Sequence, residues 1–125
     1  MGKSFEDLEV WKRGCRQAVN VYRTLECDRH FSLRDQMERA AVSVPSNIAE
    51  GQERDTTPDF VRFLRIAKGS NGELRTQLYI ARELGIIDES AGKELVQESR
   101  EISKMLQGLI QSLKRAGSTS LETGN

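Results

Sequence analysis

The sequence predicts an all-α protein, an antiparallel up-down-up-down four-helix bundle, and three observations support this. Apolar residues recur at alternating steps of three and four along most of the chain, which is the period of helices packed in a bundle. Hydrophobic residues make up 37% and charged residues 30% of the 125 residues, as in amphipathic helices with solvated outer faces. Two prolines and 6% aromatic residues are too few for a small β-sandwich.

The first predicted helix covers residues 5–25. Ser4 and Asp7 form the sequence pattern of a capping box, in which the hydroxyl accepts a backbone N–H at the start of a helix. The predicted buried face comprises Leu8, Trp11, Cys15, Ala18, Tyr22 and Leu25. The polar segment 26–30 predicts a turn.

A second helix is predicted between a capping box at Ser32 and Asp35 and a stop at Gly51. Its apolar face comprises Leu33, Met37, Ala40, Ala41, Val44 and Ile48. Pro45 lies within this pattern and removes one backbone hydrogen bond, so we expect a kink there.

Thr57, Pro58 and Asp59 predict the start of a third helix, with a capping hydroxyl, a proline at the first helical position and a carboxylate in the first turn. Gly85 predicts its end. The expected buried face comprises Phe60, Phe63, Ala67, Leu74, Leu78 and Ala81. Two internal glycines either allow close approach of another backbone or break the helix, and each costs about 1 kcal/mol relative to alanine. Because the apolar period keeps its phase across both, Gly69 and Gly72, a continuous helix is favoured.

Asp88 is the predicted cap of the fourth helix, and Gly117 follows its expected end. The predicted buried positions are Leu95, Ser99, Ile102, Leu106, Leu109 and Leu113. Residues 1–116 thus form one bundle domain, and the small polar residues 117–125 are expected to be a disordered tail. Short connections make neighbouring helices antiparallel.

The bulk composition narrows the expected partners and location. Nineteen basic and nineteen acidic residues cancel, so nucleic-acid binding would require a local basic patch. Cys15 and Cys27 have no metal-ligand spacing, and reduced thiols are expected, with a disulfide as the alternative. No segment has the apolar run of a signal peptide or a membrane span. We therefore expect a cytoplasmic protein without membrane partners.

Residues 39–54 carry a family resemblance. On a helix this segment places Arg39, Ser43, Asn47 and Glu50 in a polar stripe, with Arg54 beyond them. The segment resembles the signature of the four-helix bundle proteins encoded by intervening sequences of bacterial 23S ribosomal RNA. Matching features also occur from Leu8 to Trp11 and between Phe63 and Leu74.

The resemblance implies a four-helix bundle that assembles into a ring, commonly a homopentamer, in the bacterial cytoplasm and without known enzymatic activity. A related protein, the accessory subunit of diversity-generating retroelements, has the same ring form and works with a reverse transcriptase and nucleic acid. This chain departs from the pattern in its first loop, which lacks the proline common in the family. It is also neutral, whereas the retroelement relatives are strongly basic.

Two interpretations apply to the polar stripe of Arg39, Ser43, Asn47, Glu50 and Arg54. In one, Arg39 and Asn47 contact a partner while Glu50 orients Arg39. In the other, which is favoured, the charged members form an internal ion-pair network or a subunit contact.

A second candidate site is a basic stripe on the third helix. Arg65, Lys68, Arg75 and Arg82 fall within an arc of about 100°, with Tyr79 among them. Repeated around a ring, such a stripe would follow a phosphate backbone, and the aromatic ring would stack on bases. The alternative, a solvated outer face, is the usual role of charged residues on a helix.

No catalytic, cofactor-binding or metal-binding residues are predicted, because the one histidine lies in a loop and no strand precedes a glycine-rich segment. The leading hypothesis is a non-enzymatic, ring-forming protein associated with nucleic acid, RNA being favoured over DNA. The alternative is a protein–protein scaffold or adaptor that does not bind nucleic acid.

Overall fold

The computed structural model describes residues 4–123, with side chains described up to residue 117. All regular elements of the described chain are helical: a 3₁₀ turn at Phe5–Asp7, α1 at Glu9–Thr24, α2 at Phe31–Gln52, α3 at Thr57–Glu83 and α4 at Glu89–Thr123. Helices α1 and α3 each contact α2 and α4, so they occupy one diagonal of the bundle. The predicted all-α four-helix bundle is confirmed.

The predicted first helix is wrong at its N-terminus. The capping box is present, since the Ser4 hydroxyl accepts from the backbone N–H of Glu6 at 3.1 Å and the Asp7 carboxylate accepts from the N–H of Ser4 at 3.2 Å. It caps the short 3₁₀ turn, however, and Leu8 is extended (φ −74°, ψ 123°) before α1 begins. The Phe5 ring packs edge-on against Trp11, with ring centroids 5.2 Å apart, and this contact anchors the turn to α1.

The buried face of α1 lies about one residue away from the predicted one. Tyr22 is 46% exposed and Cys15 is half-buried, although Ala18 and Leu25 are buried as expected. The face that enters the bundle comprises Val10, Gly14, Gln17, Ala18 and Val21. Gly14 faces α2 so closely that an added Cβ would lie 3.4 Å from Cδ of Pro45.

Helix α2 buries the predicted apolar face and runs without interruption through Pro45, so the kink stays a prediction. The predicted caps are wrong at both ends. His30 occupies the N-cap without a side-chain hydrogen bond, and Ser32 already lies in the first turn. Gly51 lies inside the last turn, where its missing side chain makes room for Phe60 and Phe63 of α3.

Helix α3 is continuous through Gly69 and Gly72, as predicted. An added Cβ at either glycine would meet nothing within 4 Å, so neither permits a close approach within one chain. The N-cap is Thr56, whose hydroxyl accepts from the N–H of Asp59 at 3.3 Å, one residue before the predicted cap. Gly85 has φ 71° and ends the helix as predicted, because glycine adopts this conformation without steric cost.

Helix α4 starts as predicted, since the Asp88 carboxylate accepts from the N–H of Ala91 at 3.3 Å. It continues to Thr123 and therefore ends later than predicted. Gly117 does not stop it, because a helical glycine costs only about 1 kcal/mol and no proline follows. The disorder expected for 117–125 stays a prediction, and residues 124–125 lie outside the described chain.

The core consists of two hydrophobic clusters separated by a polar layer. One cluster is built around Val21, Leu25, Met37, Leu78 and Leu95, and the other around Val10, Ile48, Leu64, Ile102 and Leu106. Gln17, Asn71 and Ser99 lie between the clusters and are buried. The Gln17 amide donates to Oδ1 of Asn71 at 3.2 Å, and the Asn71 amide donates to the backbone oxygen of Ser99 at 2.7 Å. This polar layer ties α1, α3 and α4 together.

Candidate functional site

The structure divides the predicted basic stripe of α3. Lys68, Arg75 and Tyr79 line one groove between α3 and α4. Arg65 lies in a different groove, beside Leu113 near the other end of the α3–α4 face. Arg82 does not line this groove either and forms an ion pair with Glu89 at 2.7 Å, which lowers the pKa of that carboxyl group.

Helix α4 supplies two further cations to this groove, Arg100 and Lys104, which the sequence analysis missed. Ser103 and Gln107 complete the lining of this groove, which is open to solvent and has a volume of about 500 Å³. Positions 100, 104 and 107 share one face of α4, which is turned away from the buried positions Ile102 and Leu106. The spacing of four and three residues between these positions is the sequence feature from which this face of α4 could have been predicted. We call this site the basic groove, defined by Lys68, Arg75, Tyr79, Arg100 and Lys104.

The basic groove has no carboxylate in its lining. Its four cations take part in none of the ion pairs of the described residues, whereas Arg13, Arg34, Arg54, Arg62 and Arg82 each pair with a carboxylate. Lys68 donates instead to Oε1 of Gln107, a neutral amide, at 2.6 Å. Positive charge is therefore concentrated here although the whole chain is neutral.

The aromatic ring of Tyr79 is held between charged groups. Its hydroxyl accepts a hydrogen bond from the Arg100 guanidinium at 2.6 Å, which links α3 to α4 across the groove. The guanidinium of Arg82 lies 5.9 Å from the ring centroid, within the range of a cation–π contact. The residue nevertheless remains 43% exposed, so part of its surface is open to a ligand.

The polar stripe of α2 separates into two parts. The Ser43 and Ser70 hydroxyls hydrogen-bond at 2.8 Å, and the Asn47 amide donates to Oγ of Ser43 at 2.9 Å, so these residues join α2 to α3. Glu50 lies 3.6 Å from Arg54 in an exposed pair. Ser43, Asn47, Glu50 and Arg54 therefore all make contacts within the chain.

Arg39 does not fit the predicted ion-pair network. It precedes Glu50 by eleven residues, a separation of about 16 Å along a helix, so Glu50 does not orient it. Within the described chain Arg39 forms no ion pair and lies in a second groove, between α2 and α3, beside Glu73 and Gln77.

Another charged cluster is structural. Arg13 of α1 donates to Glu98 at 2.9 Å and to Glu101 at 2.7 Å, both on α4. The hydrogen bond from Arg13 lowers the pKa of Glu101, and the two carboxylates raise the pKa of Arg13. This cluster ties α1 to α4 on the side of α4 away from the basic groove.

The described residues contain no group of three or more histidine, cysteine, aspartate or glutamate side chains placed to hold a metal ion. Within the same residues, no helix combines the length and the apolar character needed to cross a membrane.

A sequence profile of the 23S rRNA-intervening sequence proteins matches residues 6–108. The chain belongs to this family. All five residues of the basic groove lie within the part that matches the 23S rRNA-intervening sequence proteins, and the resemblance expected from residues 39–54 is confirmed.

Among solved structures, the chain is similar to a protein of unknown function from the S23 ribosomal protein family of Bacteroides thetaiotaomicron VPI-5482. The two share 25% sequence identity with a TM-score of 0.77, over 81% of this chain and 97% of that chain. No curated protein matches the chain.

Proposed function

We propose that this protein is a cytoplasmic, non-enzymatic, ring-forming bundle that binds RNA through the basic groove. The observation that supports the proposal is a groove lined by four cations from two helices and by one exposed aromatic ring, with no carboxylate in the lining. Neutralising phosphates with lysine and arginine releases counterions, and this supplies most of the affinity in sequence-independent binding. The zero net charge of the chain does not oppose such binding, because the field that a ligand meets is local.

Ring assembly is supported by two exposed apolar faces on diagonally opposite helices. On α1, Val19 and Tyr22 are 45% and 46% exposed. On α3, Ile66 and Ile80 share one face with the C-cap residue Leu84, and the three are 42%, 46% and 64% exposed. Contact between two different faces of identical chains is heterologous, and it closes into a ring when the rotation between subunits permits. A homopentamer of this kind would present one basic groove per subunit.

RNA binding is tested by titrating a labelled RNA and following fluorescence anisotropy at several salt concentrations. Four phosphate contacts predict that log Kd rises with log salt with a slope of about 3. The double variant Lys68→Gln/Arg75→Gln should bind more weakly and flatten the slope by about 1.4, since two contacts are removed. The matched control is Arg16→Gln/Arg23→Gln, which removes two exposed cations of α1 beside Glu94 and Glu98.

The proposal of RNA binding is wrong if wild-type protein shows no affinity at low salt, or if the two double variants bind alike. A ring that forms without binding RNA would instead favour the protein–protein scaffold.

Ring assembly is tested separately by light-scattering mass. Ile80→Lys places a charge on the exposed face of α3 and should convert the assembly into monomers. Val42→Lys, at a similarly exposed apolar position of α2, is the control and should leave the mass unchanged. A monomeric wild-type protein, or equal masses for all three proteins, would contradict the assignment of these faces.

A further inference from the structure

We infer that the basic groove selects single-stranded RNA, and that an unpaired base stacks on Tyr79 at one end of the groove while the phosphates on one side of that base contact the cations of α3 and α4. This inference rests on the proposed RNA binding and specifies the class of RNA. It follows from the contacts of the Tyr79 side chain, the positions of the cations and the groups that each form of RNA presents to a groove.

The Tyr79 side chain is exposed, and its hydroxyl has a hydrogen-bond partner across the groove. Arg100 donates to that hydroxyl at 2.6 Å, and the Arg82 guanidinium lies 5.9 Å from the ring centroid. Arg82 is itself held by Glu89, so the charge near the ring is partly neutralised there. The hydrogen bond favours one orientation of the aromatic ring, so less conformational freedom is lost when a base stacks on it.

The groove cations extend from this ring in one direction. Arg75 precedes Tyr79 by one helical turn on α3, about 6 Å along the axis. Because α4 runs antiparallel to α3, Lys104, one turn after Arg100, lies on the same side of the ring as Arg75. Lys68 lies two turns before Arg75 and extends the groove further in this direction, where it contacts Gln107 of α4. A strand whose base rests on Tyr79 therefore has positive charge within reach of the phosphates that run from that base toward Lys68. Stacking platforms combined with a cationic groove are the usual arrangement in proteins that bind single strands.

Duplex RNA does not match these features. Its bases are already stacked and paired, and extruding one costs a few kcal/mol. Proteins that recognise A-form duplexes contact backbone and 2′-hydroxyl groups over about 16 base pairs, largely by shape. A duplex would engage the cations without using the aromatic ring.

The test compares Tyr79→Leu with Tyr79→Phe by anisotropy, using one unstructured RNA oligonucleotide and the duplex of the same sequence. Tyr79→Phe keeps the stacking surface and loses the hydrogen bond to Arg100, whereas Tyr79→Leu loses the stacking surface as well. We expect Tyr79→Leu to weaken single-strand binding about tenfold and Tyr79→Phe to bind within about threefold of wild type. Wild type should prefer the single strand, and Tyr79→Leu should reduce that preference.

A fluorescent adenine analogue placed within the oligonucleotide gives a direct readout, because stacking quenches its emission. Quenching should occur with wild type and Tyr79→Phe and be lost with Tyr79→Leu. Thermal denaturation of each variant checks folding, and the exposure of Tyr79 leads us to expect little change.

The outcomes distinguish failure of the stacking inference from failure of the proposed RNA binding. If Lys68→Gln/Arg75→Gln weakens binding but the two Tyr79 variants bind alike, or the duplex competes as well as the single strand, the inference about stacking is overturned while RNA binding stands. If Lys68→Gln/Arg75→Gln binds like its α1 control, the groove is not the RNA site and both fail.

Discussion

Gly51→Ala tests how closely α2 and α3 pack at one end of the bundle. A Cβ on Gly51 would lie 2.7 Å from Cβ of Phe63, 3.0 Å from Cδ1 of Phe60 and 3.2 Å from the backbone oxygen of Phe60. Two of these atoms are fixed to the backbone of α3 and cannot rotate away. The clash is therefore relieved only if the two helices move apart.

The expected magnitude combines two opposing effects. Alanine gains about 1 kcal/mol over glycine inside a helix. Overpacking a core costs about 1–3 kcal/mol, and the upper part of this range applies because the clashing atoms are rigidly placed. Gly51→Ala should thus reduce the free energy of unfolding by about 2 kcal/mol. Gly108→Ala is the matched control, because nothing lies within 4 Å of its added Cβ. It should raise the free energy of unfolding by about 1 kcal/mol.

The assay is thermal and urea denaturation followed by circular dichroism at one fixed subunit concentration, since assembly makes stability depend on concentration. The two variants should differ by about 3 kcal/mol, or roughly 12 °C in Tm for a chain of this length. The control isolates the clash from helix propensity, because both variants make the same chemical change in a helix. Equal stability of the two alanine variants would refute the close approach at Gly51.

Three further predictions concern the polar layer, the Arg13 cluster and the thiols. Asn71→Ala should lower the free energy of unfolding by about 3 kcal/mol, because it leaves buried partners on α1 and α4 unpaired, and a urea midpoint close to wild type would contradict this. Arg13→Gln should destabilise the protein at pH values above 4.5, the ordinary pKa of glutamate. The destabilisation should be much smaller below the lowered folded-state pKa of Glu101, because the Glu101 carboxylate that Arg13 stabilises is then protonated. Urea titrations that give the same difference in stability at every pH would contradict this prediction. Alkylation followed by mass spectrometry should modify Cys27 faster than Cys15, because Cys15 is partly buried and burial raises the pKa of its thiol. Equal rates would show that Cys15 is more accessible than it is in the structure.

The sequence predicted the features that depend on local patterns. The apolar faces of α2 and α3, the cap at Asp88 and the left-handed Gly85 each follow from residues a few positions apart. The continuity of α3 through Gly69 and Gly72 followed from an unbroken period. The sequence signal for each of these features is therefore local.

Two of the errors arose where distant residues decide the outcome. Gln17 looks like a surface residue until its partner Asn71, 54 positions later, is known, and the predicted face of α1 was misplaced accordingly. The basic groove was predicted from α3 alone, since the rotation of α4 that brings Arg100 and Lys104 beside Tyr79 is not encoded in a single helix. The proposed pairing of Arg39 with Glu50 failed for a simpler reason, the distance between them along α2.

The polar layer also determines the axial register between α3 and α4. Hydrophobic contacts alone tolerate sliding of one helix past another, but a shift of one residue would separate the Asn71 amide from Ser99 and leave buried groups unpaired, at about 1–3 kcal/mol each. Arg100 follows Ser99 directly, and Tyr79 lies two turns beyond Asn71. Because the two helices are antiparallel, the same three buried side chains set the axial offset that the Tyr79 and Arg100 side chains span to meet at 2.6 Å, so the geometry of a surface groove is specified from the protein interior.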